Sequence, residues 1–132
     1  MAMQAALDEA GLRAADVGMI VAHANGTRNS DASEAAAIRR VFGDAPPPVT
    51  GFKWAFGHLI AASGMLDTVL ALEALRARTV PGVATLHEAD PALARIPVSA
   101  RAQTPRSDVA LVVSRGFGGT NAALLLRAAS AA

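Results

Sequence analysis

Residues 58–77 constrain the fold more than any other segment, because they are predicted to form one helix with almost no polar face. Asp67 and Glu73 interrupt the apolar run, so a membrane span is not expected. A soluble helix that is apolar all round is buried on all sides. The rest of the fold therefore has to cover this helix. Its large apolar residues are Leu59, Ile60, Met65, Leu66, Val69, Leu70, Leu72 and Leu75.

Helix and strand patterns alternate before this segment. Residues 2–10 are predicted to form an amphipathic helix, and the apolar run 17–22 is typical of a central strand covered on both faces. A second helix is predicted to begin at a capping box formed by Asp31 and Glu34 and to end at Gly43.

The remaining segments complete an α/β pattern. Residues 49–52 are predicted to form a short strand, and residues 80–106 a loop with a candidate short strand at 96–100. Strands at 109–114 and 122–126 follow. The order helix, strand, helix, strand, helix, strand, strand predicts one α/β domain with a mixed sheet and an antiparallel final strand pair.

Composition excludes several kinds of site. The chain has no cysteine, which rules out a disulfide, a zinc thiolate site and a cysteine nucleophile within it. A net charge of +1 gives no electrostatic reason to expect nucleic acid binding. His87 and Glu88 lack the second histidine of a zinc motif, so no metal is expected. The N-terminal residues lack the order of a signal peptide, so a cytoplasmic location with no membrane association is expected.

Three polar or glycine-rich segments follow predicted strands: 23–31, 53–58 and 114–121. Polar groups at strand ends are where α/β sheets usually bind ligands. Each segment also has an ordinary structural interpretation. On that interpretation His58 is a structural hydrogen-bonding residue, Lys53 is exposed or ion-paired, and the glycines make a wide turn. The glycine-rich segment is not a dinucleotide fingerprint, and no phosphate-binding loop occurs.

Together, the three segments resemble the β-ketoacyl-acyl carrier protein synthases of fatty acid and polyketide assembly. Asn25-Gly26-Thr27 is similar to the family's His-Gly-Thr motif. Residues 53–64 match its Lys-x-x-x-Gly-His motif with the Ala-Ala-x-Gly continuation, and residues 114–121 match its Gly-Phe-Gly-Gly-Thr-Asn loop. The resemblance extends from the first helix to Arg127, and it is to the C-terminal half of a synthase.

The resemblance implies a thiolase-like fold, in which two similar halves share a central helical layer. The predicted helix 58–77 would lie in that buried layer. The implied chemistry is a decarboxylating Claisen condensation, in which malonyl on an acyl carrier protein attacks an acyl chain held on a cysteine. That cysteine would belong to the N-terminal half. No cofactor is implied, because the substrates are carried on the phosphopantetheine of the carrier protein.

The resemblance also implies roles for single residues. His58 would hydrogen-bond the malonyl thioester oxygen and stabilise the enolate, while Lys53 would hold the charge network of the site. Glu34 resembles a buried family glutamate held near the lysine. Phe117 resembles a gating phenylalanine whose backbone N–H completes an oxyanion hole. The glycines of its loop are Gly116, Gly118 and Gly119.

The first motif departs from the family pattern. A shifted register would use His23, but Gly26-Thr27 fixes the register on Asn25, which replaces the family's first histidine. Thr27 would contact the pantetheine arm, and Asn29 stands where the motif has a second threonine. Arg115 replaces a residue that is usually aromatic or apolar.

Partners and alternatives follow from this half-synthase interpretation. The chain is expected to act with an acyl carrier protein and with a missing N-terminal half or a partner synthase chain, and to be inactive alone. The alternative is a non-catalytic partner like the chain-length factors, which the asparagine at 25 favours. Two copies are expected to pair through helix 58–77. Outside the family, the alternative is a small α/β interaction domain with no chemistry.

Overall fold

A four-stranded mixed sheet lies at the centre of the computed structural model, which describes residues 2–93 and 95–129. The strand order is β2-β1-β3-β4; β1 is parallel to both β2 and β3, and β3 is antiparallel to β4. This confirms the predicted mixed sheet with an antiparallel final pair. The strands are β1 Met19–Val21, β2 Val49–Thr50, β3 Val109–Arg115 and β4 Asn121–Arg127.

Helices cover both faces of the sheet. On one face Met3, Leu7 and Ile38 pack against Ile20 and Leu111. On the other face the second helical layer packs against Met19, Val21, Ala110 and Val112. Alternate residues of a strand point to opposite faces, so two covered faces explain the continuous apolar run in β1. The helices are α1 Ala2–Ala10, α2 Arg28–Phe42, α3 Lys53–Phe56 and α4 Ser63–Arg76.

The predicted capping box at the start of α2 is wrong. The helix begins at Arg28, with Thr27 at the cap position and no side-chain capping bond, so Asp31 and Glu34 lie inside it. Glu34 is buried and accepts hydrogen bonds from the backbone of a different segment, at residues 23 and 24. Glu34 therefore bonds to a segment distant in the chain instead of capping its own helix. Gly43 ends the helix as predicted, with φ of 66°.

The long helix is shorter than predicted and less buried. It begins at Ser63 after a 3-10 turn at Ile60–Ala62, so His58 precedes it. Ala71 and Leu75 pack on the sheet, but Met65 is 69% and Val69 50% exposed. The prediction of burial on all sides therefore fails for this chain by itself, because within residues 2–93 and 95–129 one sheet covers one side of the helix.

The segment between α4 and β3 is mostly loop, as predicted. Val98 forms an isolated parallel bridge with Val49, which is all that the structure shows of the candidate strand at 96–100. A second isolated bridge joins Val80 to Gln103. Within residues 2–93 and 95–129, no helix combines the length and apolar character needed to cross a membrane.

Candidate functional site

His58 stands at a sharp turn between α3 and α4. Gly57 ends α3 with φ of 75°, and its N–H donates to the carbonyl of Lys53. Ile60 then adopts φ of 53°, which is unusual and strained for a β-branched residue. This conformation accompanies a hydrogen bond of 3.0 Å from the Ile60 N–H to Nδ1 of His58. A strained backbone therefore sets the orientation of the imidazole.

His23 makes a ring contact with His58. His23 comes shortly after the end of β1 and is buried. The centroids of the two imidazole rings lie 5.2 Å apart, with the ring planes at 75°. The N–H of Arg115, at the end of β3, donates to His23 Nδ1 at 3.3 Å. Burial, together with the positive charges of Lys53, His58 and Arg115, lowers the pKa of His23 to about 4. His23 is therefore neutral at pH 7.

Both imidazoles use Nδ1 as an acceptor of a backbone N–H. In a neutral ring the proton must then be on Nε2, so the hydrogen-bond network assigns the same tautomer to both residues. In this tautomer each ring carries an Nε2–H group that can donate a hydrogen bond. Such donors can stabilise a negative charge that develops on an oxygen.

Asn25 forms a local turn. Its Oδ1 accepts hydrogen bonds from the N–H of Thr27 at 3.0 Å and from the hydroxyl of Thr27 at 2.9 Å. Asn25 lines the same cavity as His58, but His23 is the residue in ring contact with His58. The structure thus brings His23, the histidine of the shifted register, into ring contact with His58, while Asn25 lies in the neighbouring turn. The available signal was the position of His23 directly after an apolar strand.

Glu34 holds the backbone that carries His23. Its two carboxylate oxygens accept the N–H groups of His23 and Ala24 at 2.8 and 2.9 Å. Ala24 has φ of 41°, so this turn is also strained. Burial raises the pKa of Glu34, and the two backbone hydrogen bonds oppose that rise.

Lys53 forms a buried ion pair with Asp67. Its Nζ lies 2.7 Å from Asp67 Oδ2, and the two side chains are 6% and 3% exposed. The expected association of Lys53 with Glu34 is thus replaced by an ion pair with a carboxylate of α4. The polar interruption of the apolar helix at Asp67 was the sequence signal for this partner. The ion pair joins α3 to α4 on either side of His58.

A cavity of about 440 Å³ lies beside His58, between α2, β2 and the loop that follows α4. Its polar wall includes Asn25, Glu34, Lys53 and His58. The remaining wall is largely apolar, with Ala22, Ala35, Ile38, Val49, Val83, Leu86, Leu93, Ile96 and Val98 among its residues. Such a cavity suits an apolar ligand with one polar group at the imidazole end.

The glycine-rich connection between β3 and β4 is exposed. A 3-10 turn spans Phe117–Gly119, with left-handed φ at Gly118 and Gly119, and the Phe117 side chain is 97% exposed. Neither Phe117 nor Asn29, which lies exposed in the first turn of α2, lines the cavity. The connection reaches the site through Arg115, the residue before Gly116, whose N–H contacts His23.

The Arg115 side chain ties the end of β3 to the start of α2. Its guanidinium donates to the carbonyl of Ser30 at 2.7 Å and to the hydroxyl of Ser33 at 3.2 Å. In the part of the chain that the structure describes, no group of three or more His, Cys, Asp or Glu could hold a metal ion.

Comparison with known proteins identifies relatives of this chain in both sequence and fold. Residues 1–87 match the family model described as "Beta-ketoacyl synthase, C-terminal domain". The chain is 36% identical over 129 residues to the 3-oxoacyl-[acyl-carrier-protein] synthase 2 of Rhizobium meliloti, covering 95% of this chain and 30% of that protein. The chain thus spans less than a third of the length of that relative.

Two solved structures share the fold. The ishigamide ketosynthase/chain length factor has a TM-score of 0.91 and 32% identity, over 97% of this chain and 32% of that one. A second solved structure, of a type II PKS acyl-carrier protein in complex with its ketosynthase, matches with a TM-score of 0.89 and 25% identity. The match covers 97% of this chain and 32% of the matched chain. The α/β fold described above is therefore thiolase-like.

Proposed function

The chain belongs to the β-ketoacyl synthase family, matching its C-terminal part, and we propose that it supplies the enolate-stabilising half of a condensing site. The reaction joins an acyl thioester to malonyl carried on an acyl carrier protein. Malonyl loses carbon dioxide, and the electrons of the broken C–C bond form an enolate. The enolate carbon then attacks the acyl carbonyl, and a cysteine thiolate leaves. That cysteine comes from outside this chain, which contains none.

The contact between His23 and His58 carries this proposal. Both rings have Nδ1 occupied by a backbone N–H, which leaves two Nε2–H groups for the thioester oxygen. As carbon dioxide leaves, that oxygen gains negative charge, and fixed donors stabilise it more than they stabilise the ground state. The lowered pKa of His23 keeps that ring neutral, so it acts as a hydrogen-bond donor.

Lys53 and Asp67 act as the charged support of the site. The cation of Lys53 contributes to the low pKa of His23, and its ion pair holds α3 against α4. Asn25 shapes the turn that follows His23, through its two hydrogen bonds from Thr27. These residues position the imidazoles and take no part in bond making.

The pantetheine arm and the gate are assigned by family resemblance. Thr27 and Asn29 would contact the arm of the carrier protein, and Phe117 with Gly116, Gly118 and Gly119 would form the gating loop. The exposure of Phe117 supports this role, because a gate has to meet the part of the site that bears the nucleophile. The ketosynthase complex with an acyl-carrier protein supports such a partner here.

The assembly follows from the uncovered face of α4. Met65 and Val69, with Leu59 and Ile60 in the preceding turn, form an exposed apolar face. A nucleophile-bearing half or partner synthase chain covers this face in the working enzyme. In its absence, two copies of this chain pair through the segment 58–77, because a face of this kind is not left in water.

A non-catalytic partner, like a chain-length factor, is the alternative function. Asn25 in the place of a histidine was the observation that favoured it. The ring contact of His23 with His58 supports the enzyme instead, since it brings two imidazoles together. The enzyme is therefore the preferred function.

A chimera tests the proposal. This chain replaces the matching C-terminal segment of the Rhizobium meliloti synthase, and malonyl decarboxylation is measured. His23→Ala and His58→Ala should each lower kcat by about 100-fold or more, as expected for loss of an oxyanion donor. Asn25→Ala should lower it far less, and His87→Ala, in the exposed loop after α4, is the control.

Three results would contradict the proposal. Two concern a folded chimera, which would either fail to decarboxylate malonyl or keep its activity after loss of both imidazoles. The third is condensation by this chain alone, since a chain without cysteine has no nucleophile for the acyl group.

A further inference from the structure

Ser63, the first residue of α4, lies against the ring of His58. Its Oγ is 3.1 Å from His58 Nδ1, and it also accepts the N–H of Leu59 at 2.8 Å. The serine is buried, whereas His58 is exposed. We propose that Ser63 is a positioning residue whose hydroxyl donates to Nδ1 of His58 and keeps Nε2–H directed at the substrate. This inference rests on the proposed role of His58 as a donor.

The direction of the Ser63 hydrogen bond follows from counting protons. The Leu59 N–H occupies one lone pair of Oγ, so the single hydroxyl proton is free to be donated. The N–H of Ile60 already points at His58 Nδ1, so that nitrogen carries a lone pair and no proton. Oγ–H therefore donates and Nδ1 accepts.

A second donor at Nδ1 has a physical purpose here. The His58 residue is exposed, so the orientation of its ring depends on its hydrogen bonds as well as on the ring contact with His23. Rotating the ring by half a turn would place a C–H group opposite both donors and break both bonds. The Ile60 donor depends on a strained backbone with φ of 53°. Ser63 belongs to a regular helix, so it supplies a donor that does not depend on this strain.

The imidazole nitrogen resonances of His58 report this bond directly. In the 15N-labelled full chain above pH 8, Ser63→Ala should move the Nδ1 resonance toward that of a nitrogen with fewer donors. The ratio of the Nε2–H to the Nδ1–H tautomer should fall roughly fivefold, as for one lost hydrogen bond. Ser63→Thr keeps a hydroxyl and should restore the wild-type resonance.

Thr68→Val is the matched control, because it removes another hydroxyl of α4, bonded to the Gly64 carbonyl and not to His58. It should leave the His58 resonances in place. If Ser63→Ala does not fold, Ser63→Cys tests the same point, since a thiol fills the space but is a weak donor. Unchanged His58 resonances in a folded Ser63→Ala or Ser63→Cys variant would overturn the inference.

The chimera separates failure of this inference from failure of the proposed function. With Ser63→Ala, kcat for decarboxylation should fall roughly fivefold with KM little changed. Wild-type kcat in that variant would overturn the role of Ser63 and leave the condensing function standing. An inactive parent chimera, with the His58 resonance still dependent on Ser63, would overturn the function and leave the hydrogen bond standing.

Discussion

At the scale of single residues, the site depends on the neutral buried His23. Three residues hold it: Glu34 of α2 accepts its backbone N–H, the N–H of Arg115 from β3 donates to its ring nitrogen, and His58 contacts its ring. The turn that carries it includes Ala24 with a left-handed φ. Strain concentrated at such a turn is characteristic of functional sites.

The low pKa of His23 predicts a pH-dependent stability. Between pH 6.5, its ordinary value, and about 4, the unfolded chain binds a proton that the folded residue does not. Stability from this group is therefore complete above pH 6.5 and is lost as the pH falls through that window. The unfolding free energy of wild type minus that of His23→Gln should decrease as the pH is lowered from 6.5 to 4, measured by urea denaturation.

Other groups titrate in the same range, and Glu34, with its raised pKa, acts in the opposite direction. The unfolding free energy of wild type is therefore compared with that of His23→Gln, because the difference isolates the contribution of His23. His87→Gln in an exposed loop controls for loss of an imidazole. A wild-type-minus-variant difference that stays constant across the window would contradict the assignment of His23 as a buried neutral residue.

At the scale of elements, one buried ion pair connects α3 to α4. Lys53 and Asp67 are almost fully buried, and both lie on elements that flank His58. A buried ion pair adds little net stability compared with apolar residues, but losing one partner leaves an uncompensated charge. The pair therefore fixes the relative position of two helices more than it stabilises them.

Asp67→Asn should destabilise the fold by about 3–5 kcal/mol, because it leaves Lys53 buried without an opposite charge. The double variant Lys53→Met with Asp67→Leu should recover much of that loss. Glu73→Gln breaks the exposed pair with Arg76, whose side chains are 58% and 61% exposed, and should cost less than about 1 kcal/mol. Denaturant unfolding measures the free energy of unfolding of all three variants. If Asp67→Asn lost no more stability than Glu73→Gln, the importance of the buried ion pair would be refuted.

At the scale of the whole molecule, the uncovered side of α4 is the dominant feature. The sheet covers one side of the helix, while Met65 and Val69 face away from it. The relatives with which it shares the fold are about three times as long as the matched segment. The exposed apolar side is where a further layer of such a molecule would pack.

The uncovered side predicts self-association of the isolated chain. Sedimentation velocity at micromolar concentration should show a dimer, and Met65→Glu with Val69→Glu should give a monomer with an unchanged far-UV spectrum, since a charge is not buried in an apolar contact. Ala36→Glu, on the exposed side of α2 in the other helical layer, should leave the dimer intact. A soluble wild-type monomer would contradict the prediction.

The sequence by itself determined the alternation of helices and strands, the antiparallel final pair and the segment that carries Lys53 and His58. These features depend on local periodicity and on residues close together in the chain, which a single sequence displays. The long apolar helix and the glycine-rich connection were recognisable for the same reason.

Only the tertiary structure decided which residue faces His58, which carboxylate pairs with Lys53 and where Glu34 directs its oxygens. His23 is brought to His58 by the parallel pairing of β1 and β2, and Asp67 is brought to Lys53 by the packing of α4 on the sheet. The apolar side of α4 is uncovered because none of the elements described in residues 2–93 and 95–129 packs on it. Contacts between residues distant in the chain have no local pattern, so packing alone reveals them.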